Sequence, residues 1–234
     1  MGKGVSNSEE ERGGEPLSGV VTALEVQAKD PLRVNLFLDG RFACGLSARV
    51  ATDAGLKKGD VLTPADVAGL LQREAADQGL QQALLLLSYR PRSEHEIRRA
   101  LTQKGRAPET VDAVVARLRD VHYLDDEAFA LSWVENRQRF RPQGARRLRA
   151  ELRLKGVERQ VVDQAIEDGA GDERALALQA GEKKAAGTGA ADYGEFGRKV
   201  GGFLMRRGFA PEVVWEVVRS LWAARTGDPS PPQD

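Results

Sequence analysis

Leu148-Arg-Ala-Glu-Leu-Arg-Leu-Lys-Gly156 decides the fold, because the chain carries it in two further degenerate copies. Ile97-Arg-Arg-Ala-Leu-Thr-Gln-Lys-Gly105 ends 51 residues earlier, and Val200-Gly-Gly-Phe-Leu-Met-Arg-Arg-Gly208 ends 52 residues later. Aliphatic residues stand eight and four positions before each glycine: Ile97 and Leu101, Leu148 and Leu152, Val200 and Leu204. That i, i+4 spacing makes the apolar stripe of a helix. A basic residue followed by glycine is a C-terminal stop, since the cation suits the negative end of the helix dipole and glycine accepts left-handed backbone. Six and ten positions past each glycine stand Val111 and Val115, Val162 and Ile166, and Val214 and Val218, the buried face of a following helix. This helix opens with Pro108 in the first copy and Pro211 in the third, where the second has Arg159.

An apolar segment precedes each pair, at Ala83 to Leu87, Ala128 to Val134 and Ala175 to Leu178. Each copy therefore reads as helix, variable connector, helix, short turn, helix, over residues 80–124, 125–170 and 172–224. The connector is expected to be longest in the third copy, where Ala185 to Gly197 is rich in small residues and Gly201-Gly202 departs from a good helix. Units of about 45 residues are near the lower limit for burying a core alone, so neighbours should stack.

Upstream the periodicity changes. Val20, Thr22, Leu24 and Val26 alternate on one side of an extended segment, followed by Val34, Leu36 and Leu38. Asp39-Gly40 signals a tight hairpin, and Arg41 to Cys44 returns as the next strand. Ser47 opens a short helix stopping near Gly55, and Thr63-Pro64 caps and starts another. Residues 17–77 thus form a small α/β unit, a β-meander with short helices. Residues 1–16 and 225–234 are expected to be disordered tails, the first being acidic and glycine-rich with nothing to bury. The fold class is mainly α: tandem three-helix-bundle repeats in an elongated array, preceded by the α/β unit.

No stretch approaches the roughly 20 apolar residues that cross a bilayer, and Cys44 is the only cysteine. A cytoplasmic protein without disulfides or membrane contact is expected. Thirty-five basic and 35 acidic residues balance overall but are banded along the chain. From Glu135 to Arg159, nine Lys/Arg stand against three glutamates, a local charge of +6. Six acids and two arginines fill Glu109 to Glu127, and five acids and no base fill Asp163 to Glu173.

Signatures of catalysis are missing. His95 and His122 lack metal-ligand spacing, and the sequence holds no phosphate-binding glycine loop, dinucleotide fingerprint or cysteine pair. Ser93 and Glu96 read as a capping box, and Asp125 or Asp126 as the N-cap of the helix carrying Phe129 and Trp133. Trp133, Trp215, Trp222, Phe203 and Phe209 fall on apolar helical positions and are expected in the core. No enzyme activity, cofactor or metal is expected.

The informative site is the basic helix of the second copy. Leu148 and Leu152 face the core while Arg146, Arg149 and Arg153 form an arginine stripe on a neighbouring face, and Arg147 and Glu151 can neutralise each other. Arg137, Arg139 and Arg141 add charge at the end of the preceding helix, Lys155 ends the stripe, and Arg98, Arg99 and Lys104 form a weaker version in the first copy. Guanidinium groups on a rigid helix suit phosphates or a row of carboxylates, although a solvated helical face carries similar patterns.

Tyr123-Leu-Asp-Asp-Glu-Ala-Phe-Ala130, followed by Arg137, Gly144, Arg147-Leu148, Glu151-Leu152 and Lys155-Gly156-Val157, resembles the signature of the RecX family, regulators of the RecA recombinase. Weaker similarity runs from about residue 80 to 224, and the N-terminal unit lies outside the signature. The resemblance implies tandem three-helix modules that lie along the groove of the RecA filament on single-stranded DNA. It implies inhibition of ATP hydrolysis, strand exchange and coprotease activity, in recombination and the SOS response. RecA and single-stranded DNA, reached directly or through RecA, are the expected partners, and a monomer is the expected state. The ten cations Arg98, Arg99, Lys104, Arg137, Arg139, Arg141, Arg146, Arg149, Arg153 and Lys155 are the expected contacts. A stand-alone DNA-binding protein with helix-turn-helix-like repeats is the alternative.

Overall fold

The computed structural model describes residues 17–169 and 171–227, so the expectations for residues 1–16 and 228–234 lie outside the described residues. The chain divides into two compact units: one takes in residues up to Gln82 together with Arg106–Val114, the other Ala83–Gly105 and the residues from Val115 onward.

In the first unit, β1 (Gly19–Gln27), β2 (Asp30–Leu38), β3 (Arg41–Ser47) and β4 (Val61–Leu62) form an antiparallel sheet in the order β3-β2-β1-β4. The hairpin turn is as expected, with positive φ at Asp39 (47°) and Gly40 (77°). Val34, Leu36 and Leu38 are buried, but β1 departs from simple alternation. Val21 is its fully buried residue, while Val20 and Val26 are exposed. A register shift between Val21 and Ala23 inserts an extra residue against β2 and switches the face of the strand.

Ser47 caps α1 (Ala48–Asp53) by accepting the Val50 amide. The helix opening at Pro64 is long: α2 (Pro64–Tyr89) runs unbroken through the segment that the sequence suggested was separate. Two tertiary anchors hold it. Glu74, nearly fully buried, accepts from the Ser47 amide at 2.6 Å and from Arg33 at 2.8 Å, and Asp77 pairs with Arg49. Burial opposes ionisation of Glu74, yet the Ser47 amide, Gln78 and Arg33 outweigh it and lower the carboxyl below its usual range. Gly79 gives close approach to α4 (Pro108–Asp120), since a Cβ there would stand 3.0 Å from a Val114 methyl.

The second unit holds α3 (Glu94–Gln103), α5 (Asp126–Phe140), α6 (Ala145–Leu154), α7 (Arg159–Gly169), α8 (Glu173–Ala186), α9 (Tyr193–Arg206) and α10 (Pro211–Thr226). All twelve repeated aliphatic positions read from the sequence are buried. Phe129, Val134, Leu148, Leu152, Val162 and Ile166 share one core, and Phe196, Val200, Leu204, Val214 and Val218 share another. The three stop glycines all take left-handed backbone, with φ of 75° at Gly105, 74° at Gly156 and 85° at Gly208. Ser93 and Glu96 form the capping box on α3, and Asp125 caps α5.

The third module has the longest of the three connectors, as expected, but it is confined to 187–192, against 90–93 and 141–144, because α8 extends to Ala186 and Asp192 caps α9. Gly201-Gly202 stays helical within α9, and Gly201, like Gly197, serves packing. The Trp215 ring lies 3.3 Å from where a Gly197 Cβ would stand and 3.4 Å from that of Gly201. Trp215 is consequently half exposed across this glycine face and not in the core, whereas Phe209 is buried. α10 reaches Thr226, into the stretch read as a tail, because Arg225 donates to the carbonyls of Thr188 (2.9 Å) and Ala190 (3.2 Å).

One joint recurs between successive middle helices. The Ser93 hydroxyl at the start of α3 donates to the carbonyl of Lys155 at the end of α6. Likewise the Gly144 amide at the start of α6 donates to the carbonyl of Arg207 at the end of α9, at 3.0 Å. The backbones are close: a Cβ on Gly144 would lie 2.2 Å from the Gly208 carbonyl oxygen, and one on Gly156 2.3 Å from His95 Cβ. Neither joint has room for a side chain.

Candidate interaction surface

The basic region of the second module contains two kinds of cation. Some are held inside the protein. Glu151, about one turn before the end of α6, gathers four donors: Arg137 at 2.8 Å, Gln143 at 3.0 Å, the Trp133 indole at 3.1 Å and Arg147 at 3.3 Å. Burial opposes its ionisation, but these donors, led by Arg137, lower its carboxyl below the usual range. The Arg137 guanidinium also lies 4.2 Å from the centroid of the Trp133 ring, and the Lys155 ammonium 4.3 Å from it.

Lys155 is further committed by Glu96 of α3, whose carboxylate it meets at 3.1 Å. Arg90 grips the same carboxylate through two contacts, 2.9 and 3.1 Å long. Burial opposes ionisation of Glu96, yet Arg90, Lys155 and the Ser93 amide together lower its pKa to about 2. With 17% of its side chain exposed, Lys155 serves as a pin between α3 and α6.

Arg149 pairs with Asp163 of α7 at 2.8 Å, and Arg98 with Glu94 one turn earlier at 2.7 Å. Arg139 lies 5.2 Å over the Phe140 ring, and Arg141 caps the end of α5. Arg99, Lys104, Arg146 and Arg153 are exposed and form no ion pair among the described residues. The structure thus joins Arg137 and Lys155 in one aromatic and acidic cluster that the residue spacing did not reveal, since Glu96, Trp133 and Glu151 come from three helices. It leaves Arg146 and Arg153 on the outward face of α6, separated by exposed Ala150 and followed by Leu154.

Among the described residues there is no cluster of three or more metal-ligating side chains, and no helix is long and apolar enough to cross a membrane. The second module also has an open groove of about 470 Å³ between α5 and α7, with Ala128, Leu131 and Val161 along it and Asp125, Glu127 and Asp168 at its rim.

Comparison with known proteins places these modules. Residues 19–63 match the model of the regulatory protein RecX N-terminal domain, and residues 80–118, 125–166 and 172–218 match the first, second and third RecX three-helix domains. The N-terminal unit, outside the sequence signature, is thereby included. The regulatory protein RecX of Listeria innocua is 33% identical over 152 residues, covering 65% of this chain and 56% of that protein. That of Bacillus subtilis is 33% identical over 146 residues, covering 62% and 55%. The chain spans a little over half the length of these curated relatives. A crystal structure of regulatory protein RecX superposes with a TM-score of 0.69 at 24% identity, over 87% of this chain and all of that one. The crystal structure of RecX from Lactobacillus salivarius gives 0.56 at 18% identity, over 64% of this chain and 97% of that one. These two likenesses concern the fold alone. With four consecutive domain models matched in order along it, the chain belongs to the RecX family.

Proposed function

We propose that this protein binds in the groove of the RecA filament on single-stranded DNA and inhibits RecA's ATP hydrolysis, strand exchange and coprotease activity. It acts by binding and not by catalysis, in the cytoplasm, as part of the control of recombination and the SOS response. The observation that supports this most is the outward face of α6, where Arg146 and Arg153 lack internal partners while neighbouring cations are neutralised. A rigid helix presenting unpaired guanidinium groups suits carboxylates or phosphates on a partner. Arg99 and Lys104 offer further unpaired charge on the equivalent helix of the first module. Tandem modules engaging successive subunits of a filament add weak contacts into avidity.

The test is binding of the full chain to RecA assembled on a labelled single-stranded oligonucleotide, with the double variant Arg146→Glu/Arg153→Glu alongside. Weaker binding by the variant at unchanged thermal unfolding is expected. Equal binding by both would remove this face from the interface.

A further inference from the structure

Leu154 sits in the second module with 86% of its surface exposed, more than any other large apolar residue described. It lies on the same outward face of α6 as Arg146, Ala150 and Arg153, at spacings of eight, four and one residues. In the other modules the position two before the stop glycine holds Gln103 and Arg206, both exposed and polar, as a solvated face would have. The buried leucines of α6, Leu148 and Leu152, account for its core face, so Leu154 contributes nothing to the module's own packing.

We infer that the outward face of α6 docks on a protein surface and not on nucleic acid, with Leu154 entering an apolar pocket and Arg146 and Arg153 pairing with carboxylates beside it. The inference rests on the proposed binding to the RecA filament and says which component of that filament this face meets. Two features of the face select the occupant. First, its unpaired charge is sparse, because Arg147 and Arg149 are already held by Glu151 and Asp163. Nucleic-acid affinity comes chiefly from the number of phosphates neutralised, and two arginines neutralise few. Second, a phosphate backbone offers nothing to a leucine, and sequence-tolerant binding of single strands uses aromatic faces for base stacking. Trp133, the aromatic whose indole meets Glu151 of α6, is occupied by Arg137 and Lys155. An exposed aliphatic side chain flanked by arginines has instead the composition of an interface anchor, apolar at the centre and charged around it.

The experiment compares the full chain with Leu154→Ser and with Arg146→Glu/Arg153→Glu, each titrated against a RecA filament on a labelled oligonucleotide and against the same oligonucleotide bare. Circular dichroism and thermal unfolding accompany each variant, and Leu154→Ser should match the parent because the residue is exposed. The expected result is a loss of about tenfold or more in filament binding for Leu154→Ser, with bare-DNA binding unchanged. Filament binding that is indifferent to Leu154→Ser, while the parent binds, would overturn the inference and leave the proposed function standing. A proportionate loss on bare DNA would assign the face to nucleic acid and overturn it equally. A parent chain that fails to bind the filament at all would overturn both.

Discussion

The hydroxyl of Ser93 donates to the carbonyl of Lys155, tying the first turn of α3 to the last residue of the α6 stripe. The same serine also accepts the Glu96 amide, so it caps its own helix and terminates another. Lys155 returns the connection through its ammonium, which reaches Glu96. In the next joint the serine is replaced by Gly144, whose amide makes the corresponding contact to Arg207. The repeated basic-glycine stop is thus both a helix terminus and a docking point for the preceding module.

The stop glycines should respond unequally to alanine. All three take positive φ, but a Cβ on Gly105 meets nothing within 4 Å, whereas on Gly156 it meets His95 at 2.3 Å and on Gly208 the Arg147 amide nitrogen at 2.4 Å. Gly105→Ala should cost about 1–2 kcal/mol, the backbone term alone. Gly156→Ala and Gly208→Ala should each cost about 3 kcal/mol or more, since neighbouring atoms must also shift. Urea unfolding of the three variants checks the order.

That contrast also marks what the sequence could and could not show. The twelve aliphatic positions and three glycines are legible because helical periodicity and left-handed stops are local properties repeated three times. The β1 bulge is not, since a register shift belongs to two strands together. The continuity of α2 through Gly79 depends on Val114, and the helical Gly201 on Trp215, which lie far along the chain. The arginine stripe was legible as a pattern, but its division into held and unpaired members depends on Glu96, Glu151 and Asp163. Arg137 and Lys155 look like surface cations until the Trp133 ring, one turn before Arg137 on α5, is seen to meet both.

Acid should weaken the joint between α3 and α6. Glu96 is held down to about 2 from a usual 4.5, so the stability it contributes is fully present above about pH 4.5 and is lost as pH falls toward 2. Lys155→Met removes one of the groups stabilising the carboxylate and should flatten this part of the stability profile. Urea unfolding between pH 2 and pH 5 would show the difference. Parallel profiles for parent and variant would contradict the assignment.

Arginines on the basic surface should separate into structural and dispensable ones. Arg137→Ala leaves Glu151, whose side chain is 14% exposed, without its closest cation, and should cost about 1–3 kcal/mol. Arg153→Ala should stay within about 0.5 kcal/mol of the parent, as an exposed residue with no ion pair. Thermal and urea unfolding of both variants decides between this division and a uniformly solvated face.

Single-strand-dependent ATP hydrolysis by RecA decides whether the proposed regulation of RecA filaments takes place. The protein is titrated into the reaction while its binding to the same bare DNA is measured in parallel. Inhibition at amounts well below one per RecA subunit, where bare DNA is still mostly unbound, is the predicted result. No inhibition, or inhibition that only follows coverage of bare DNA, would contradict the account.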